Sequence, residues 1–358
     1  MDVSQVKIRD LVLAAFDVVA SDLYMKAGQR PMMKQHSLVH PLPGDWPVID
    51  HDSAKKLIRG LMDERMQEEF DHYFEFDLGF MVDDLCRVRA SVYLERGGYA
   101  LAARIVPIQI KSLEELGLPA VLGEMVKQRQ GLILVTGPTG CGKTTTLASM
   151  IDIVNKTKAG HIVTVEDPLE FIHRDQMSYV SQREIGIDTK DFQHCLRAVL
   201  RQSPDVILIG EMRDAITMSV ALQAGETGHL VFSTVHTSSA YETMDRIVNM
   251  FPPHEKQHIC QRLSGSLRAV VSQKLVPRAD GNGRVAVNEI LICTPTVSKL
   301  IEDGHFSDLY HAMNEGQFWG MQTMNQGLVK FVKAGVISED MAVQYAGIAS
   351  ELKQMLRR

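Results

Sequence analysis

An apolar run, Leu132-Ile133-Leu134-Val135, leads into Gly137-Pro138-Thr139-Gly140-Cys141-Gly142-Lys143-Thr144-Thr145, and a helical pattern follows. Strand, glycine loop and helix in that order leave the chain few choices of fold. The loop must wrap at the carboxyl end of a strand and aim its amides along a helix N-terminus. The stretch fits G-x-x-x-x-G-K-[ST], in which the glycines let backbone N–H groups surround phosphates. Lys143 reaches the outer phosphate oxygens and the Thr144 hydroxyl ligates Mg²⁺.

At 358 residues the chain is long enough for two or three units, each with its own core. A formal net charge of −6 argues against a broadly basic surface, so nucleic acid is not the expected partner. Cys86, Cys141, Cys195, Cys260 and Cys293 are scattered with no C-x-x-C pair, which points away from zinc and from a disulfide framework and fits a reducing cytoplasm. The opening residues mix Asp2, Lys7, Arg9 and Asp10, unlike a signal peptide, and no apolar window is long enough for a membrane span.

In chain order, Leu11, Val12, Ala15, Phe16 and Val19 predict a helix over Val6–Ala20, ended by Ser21-Asp22. A loop rich in Gly, Pro and His follows. Next comes a helix capped by Asp52 or Ser53, with Leu57, Leu61 and Met62 on one face. From Phe74 the period becomes two: Val88, Ala90 and Val92 share one face, Arg87, Arg89 and Ser91 the other, and a second strand runs Tyr99–Val106. Pairing about the turn Glu95-Arg96-Gly97-Gly98 sets Arg89 opposite Arg104, two like charges that either clamp an anion or splay into solvent.

The expected division is 1–106, a linker 107–119, and 120–358. The last part begins with a helix through Met125. Its apolar runs Leu132–Val135, Ile162–Val165, Val206–Ile209 and Leu230–Val235 alternate with helical patterns, the mark of a parallel sheet covered on both faces. After Phe251-Pro252-Pro253 the pattern is mainly helical, with Val285–Ile292 as a late strand and a helical tail through Lys353 to Arg358.

Ligands in such sheets sit beyond the carboxyl ends of the strands. There stand Glu166-Asp167-Pro168-Leu169-Glu170 and Gly210-Glu211-Met212-Arg213-Asp214, the latter like a Walker B strand in which glycine replaces the usual aspartate before the glutamate. Glu211 is then expected to orient the attacking water and Glu166 to support the metal, with Thr144, Glu166 and Glu211 as the candidate Mg²⁺ ligands. His229 and His236 bracket the fourth run. At about 3.3 Å per residue they lie roughly 23 Å apart, so only His236 is at the ligand end, as a sensor of the terminal phosphate. His229 is left to a hinge or subunit contact. Arg197 and Arg201 could reach a carboxylate or a neighbouring subunit, or form an exposed basic helix face.

The ordered boxes GPTGCGKTTT, VTVEDPLEF, LRQSPDVILIGEMRD and AGETGHLVFSTVHTSSA resemble the secretion ATPases of type II secretion and type IV pili, specifically the retraction motors of the PilT and PilU kind. The resemblance runs from Ser21-Asp22-Leu23 to Gly320-Met321-Gln322-Thr323. It implies an α/β chain with a PAS-like α+β N-terminal domain and a RecA-like P-loop ATPase domain with a helical C-terminal part, assembled as a homo-hexamer. ATP and Mg²⁺ would bind between the domains, with Arg89 and Arg104 as the arginines from the N-terminal one. Glu166 to Glu170 would form the Asp box, Glu211 the catalytic glutamate, and His229 and His236 the histidine box. The implied work is ATP-driven pilus retraction, or twitching motility, in the cytoplasm at the inner membrane, through a platform protein and alongside a paralogous motor. The tetracysteine zinc module of extension motors is absent. The AIRNLIRE-like helix of PilT-kind motors survives only as Leu300-Ile301 within Thr296–Asp303, which points to a PilU-like paralogue or a divergent PilT. The rivals are a non-catalytic or accessory ring subunit and a related secretion or nucleic-acid translocating ATPase.

Overall fold

The computed structural model describes residues 3–35 and 38–357. The chain divides into two units, Met1–Gln109 and Ile110–Arg358.

The first unit holds a six-stranded antiparallel sheet in the order β3-β2-β1-β6-β5-β4, from β1 (Asp22–Lys26), β2 (Met32–Gln35), β3 (Leu38–Pro41), β4 (Glu75–Val82), β5 (Cys86–Glu95) and β6 (Gly98–Pro107). With it go helices α1 (Ile8–Asp17), α2 (His51–Arg59) and α3 (Glu64–Tyr73). Helix α1 is shorter than its periodicity predicts. Ala20 N–H donates to Ala15 C=O and Val19 N–H to Phe16 C=O, a Schellman closure that leaves Val19 at φ 57° and exposed. The Gly/Pro/His-rich segment read as loop contains three short strands, and its alternation was too brief to register. The Asp50 carboxylate, rather than Asp52 or Ser53, caps α2 by accepting from Ser53 N–H. The charged stretch after it is a separate helix, α3, capped by Asp63 and anchored by buried Phe70.

The β5–β6 hairpin follows its pattern. Val88, Ala90 and Val92 are buried, and Arg89 pairs with Arg104 in register. Arg96 (φ 53°) and Gly97 (φ 77°) both take the left-handed conformation at the turn, the hand that matches strand twist.

The second unit carries a seven-stranded sheet in the order β13-β12-β7-β11-β10-β8-β9, formed by β7 (Gly131–Thr136), β8 (His161–Glu166), β9 (Tyr179–Glu184), β10 (Val206–Ile209), β11 (Leu230–Val235), β12 (Leu267–Pro277) and β13 (Arg284–Ile292). All neighbours run parallel except β12 and β13. The helices are α4 (Val121–Met125), α5 (Lys143–Thr157), α6 (Phe192–Val199), α7 (Ala215–Glu226), α8 (Ala240–Asn249), α9 (Lys256–Ser266), α10 (Pro295–Glu302), α11 (Leu309–Glu315), α12 (Met324–Lys333), α13 (Glu339–Tyr345) and α14 (Ala349–Leu356).

Apolar cores lie on both faces of this sheet, so β7, β10 and β11 are buried at every position. Two strands depart from the sequence reading. β9 is a polar edge strand with no apolar run, and β12 falls in a stretch read as helical. The expected linker 107–119 is not a free tether: Leu113 and Leu118 are buried in the second unit's core. The tail is helical through α14, and Arg358 lies outside the described residues.

Candidate active site

Strand β7 delivers the chain to Gly137, and the loop closes at Gly142, immediately before α5. Three glycines turn the loop through left-handed φ: Gly137 (143°), Gly140 (76°) and Gly142 (89°). A Cβ on Gly137 would collide with the Gln273 carbonyl oxygen, so only glycine lets the loop start this close to β12. Lys143 opens α5, is buried, and donates from Nζ to the carbonyls of Gly137 (2.8 Å) and Pro138 (3.0 Å). Its ammonium is therefore fixed over the loop beside the helix N-terminus, where backbone N–H groups favour anions.

Around the loop is a cavity of about 440 Å³ lined by Thr139, Gly140, Gly142, Lys143, Thr144 and Thr145, and by Glu166, Glu170, Glu211, Arg213, Thr234 and His236 from the neighbouring strand ends. Of the nine loop residues expected to touch a nucleotide, Gly137, Pro138 and Cys141 are outside this lining. The first two act through their carbonyls on Lys143, and the Cys141 thiol is buried, which pushes its pKa up.

Glu166 ends β8 and is 5% exposed. Burial pushes its carboxyl up to about 7, and Oε1 has no hydrogen-bond partner among the described residues. Glycine at 210 has a packing reason. β10 pairs with β8, Gly210 N–H donates to Val165 C=O at 2.8 Å, and a Cβ at 210 would sit 3.3 Å from the Glu166 Cα. On the adjacent strand Glu166 places a buried carboxylate at this sheet end.

Glu211 and His236 meet at 3.3 Å between Oε1 and Nε2, and Arg213 Nε donates to the other Glu211 oxygen at 2.8 Å. Thr234 Oγ1 donates to Gly210 C=O at 2.7 Å, and Met212 N–H to Thr234 C=O at 3.1 Å, tying the Glu211 segment to β11. Burial first, and the Lys143 charge second, lower the His236 pKa against the pull of Glu211, which favours the neutral imidazole. A carboxylate held between a guanidinium and a neutral imidazole can accept a proton from water or orient it.

The remaining candidates lie elsewhere. His229 sits at the opposite end of β11, where its Nδ1 contacts Ala224 C=O at 3.0 Å, so the chain does not bring it to the cavity as a catalytic group. Arg89 and Arg104 share one face of the β5–β6 pair in the first unit, and Asp22 relieves the like-charge pairing by bonding Arg104 Nε at 3.2 Å. Arg197 is exposed on α6 and Arg201 lies exposed beyond its end, with no ion pair to either among the described residues. Arg213 and Thr234 were missed as site residues. An i,i+2 spacing from Glu211 in extended chain could have flagged Arg213, whereas a threonine inside an apolar run carries no signal. Among the described residues no cluster of three or more His, Cys, Asp or Glu could hold a metal. Thr144, Glu166 and Glu211, the expected Mg²⁺ ligands, all line the cavity.

Residues 102–300 match the model of the family described as type II/IV secretion system protein. The chain is 42% identical over 329 residues to the type IV pilus retraction ATPase PilT of Pseudomonas aeruginosa, covering 92% of this chain and 95% of that protein. It is 37% identical over 337 residues to the type IV pilus ATPase PilU of the same organism, covering 94% and 88%. A crystal structure of the pilus retraction motor PilT with bound ADP superposes with a TM-score of 0.91 at 40% identity, covering 98% of this chain and all of that one.

Proposed function

Because the chain belongs to the type II/IV secretion system protein family, we propose that it is the ATPase motor that powers retraction of type IV pili, and hence twitching motility. The observation that carries this is the convergence of Lys143, Glu166, and the Glu211–His236 contact on one cavity at the carboxyl ends of a parallel sheet. A cavity of this kind, with its phosphate loop at a helix N-terminus, binds nucleotide.

Each residue takes a definite part. Loop amides and Lys143 hold the phosphates, Glu211 orients the attacking water under the control of Arg213, and His236 senses the terminal phosphate. Thr144 and Glu166 are the residues that would hold Mg²⁺, with Glu211 beside them. The orphaned Glu166 Oε1 and the absence of a many-carboxylate cage among the described residues both fit a cation bound mainly through phosphate. When bound, Mg²⁺ supplies charge neutralisation at the transferring phosphate. Arg89 and Arg104 are assigned the same electrostatic task, from a PAS-like N-terminal domain joined to a RecA-like core. His229 is assigned to a hinge or subunit contact.

The working form is a homo-hexamer at the cytoplasmic face of the inner membrane, engaging a platform protein and a paralogous motor. No helix among the described residues is long and apolar enough to cross a membrane. Identity is higher to the PilT relative than to the PilU relative, although α10 keeps so little of the PilT-kind helix sequence. Lys143→Ala should abolish magnesium-dependent phosphate release, and deletion of the gene should leave surface pili that do not retract. Unchanged hydrolysis in the variant, or normal retraction without the gene, would overturn the reading.

A further inference from the structure

Behind the phosphate loop lies a buried polar group that the mechanism above does not use. Gln273, on β12, is 2% exposed, and both ends of its side-chain amide are hydrogen-bonded. Nε2 donates to the Cys141 carbonyl at 2.6 Å, and Oε1 accepts from Thr146 Oγ1 at 2.9 Å and from Asn288 Nδ2 at 3.0 Å. The loop also rests on Gln273 at its two outer glycines. A Cβ on Gly137 would strike the Gln273 main-chain oxygen, and one on Gly142 would sit 2.9 Å from Nε2.

We propose that Gln273 is the positioning residue of the phosphate loop, setting the Cys141–Gly142 peptide so that the Gly142 amide points at the bound phosphate. In a planar trans peptide the C=O and the following N–H point in opposite directions. Holding the Cys141 carbonyl toward β12 therefore turns the Gly142 N–H away from β12, and Gly142 lines the cavity. Glutamine suits the place because one end donates and the other accepts. Leucine would leave the Cys141 carbonyl without its donor and the Thr146 and Asn288 donors without their acceptor. Thr146, one turn into α5, and Asn288, on β13, lock the amide against a flip. The peptide is thus oriented from the sheet and not by the loop itself.

This inference rests on the nucleotide-binding reading, and the two can fail separately. Full-length protein is titrated with the N-methylanthraniloyl derivatives of ADP and ATP, with steady-state phosphate release measured in parallel. Gln273→Leu should weaken both nucleotides and raise KM for ATP by about tenfold, with kcat at saturation changed by less than about threefold, the pattern of a lost ground-state contact. Thr146→Val should shift affinity in the same direction, and Thr146→Ser, which keeps the hydroxyl, should bind as the parent does. Parent-like affinity in Gln273→Leu, or a fall in kcat at unchanged KM, overturns the proposal. If Gln273→Leu fails to fold, the threonine pair decides, and equal affinity of the valine and serine variants overturns it. A parent protein that binds neither nucleotide would instead sink the functional reading.

Discussion

The two units bury different things. Among the described residues, every buried polar or charged side chain lies in the second unit, including Lys143, Glu166, His173, Gln273 and Glu289, while the buried residues of the first unit are apolar throughout. The sheets explain the contrast. β5 alternates buried and half-buried positions, so its arginines and serine stay out of the core. β7, β10 and β11 have no outward face, and polar groups there must sit at strand ends or find partners inside. Buried polarity is therefore concentrated in the second unit, whereas the first buries apolar residues and leaves its charged groups, Arg89 and Arg104 among them, outside its core.

The largest effect expected from that contrast is chemical. Glu211→Gln should cut phosphate release at least about 100-fold with nucleotide still bound, and a loss under tenfold would remove Glu211 from the reaction and blur the distinction between the units. Next is packing: Phe232→Ala, in the middle of β11 and fully buried, should cost about 3–5 kcal/mol by denaturant titration.

The third concerns pH and has two opposing signs. Burial lowers His173 from 6.5 to about 4, against a weaker opposite pull from Asp152, so its stability contribution is present above 6.5 and is lost as pH falls toward 4. Glu166 is raised from 4.5 to about 7, so its contribution is present below 4.5 and is lost as pH rises through 7. The two offset each other across the overlap, each on the order of 3 kcal/mol. His173→Gln should therefore leave a protein that gains stability on mild acidification, and Glu166→Gln one that loses it. Thermal melts between pH 4 and 7.5 that show no divergence would break the assignment. The smallest effect belongs to the first unit: Asp22→Asn removes the partner of exposed Arg104 and should change stability by less than about 1 kcal/mol.

The same contrast governs what could be read from residues alone. The fully apolar runs announced β7, β8, β10 and β11, and the phosphate loop announced its helix, because each signal is local and strong. The β5–β6 register was legible down to Arg89 against Arg104, since a short turn leaves one symmetric pairing. β1, β2, β3 and β9 were not, being short or polar strands whose partners, not composition, make them strands. β12 was hidden among helical patterns, and with it went Gln273, whose role exists only once β12 lies beside the loop. Glu166, Glu211 and His236 could be set at the carboxyl end of the sheet from their places after apolar runs, whereas the contact of Arg213 with Glu211 depends on how the chain folds after β10.

Gly210 bears on what this strand end will accept. With 3.3 Å between an added Cβ and the Glu166 Cα, a side chain at 210 needs the neighbouring strand to give by a few tenths of an ångström. The spacing of β8 and β10 at their carboxyl ends therefore sets how large a residue position 210 can hold.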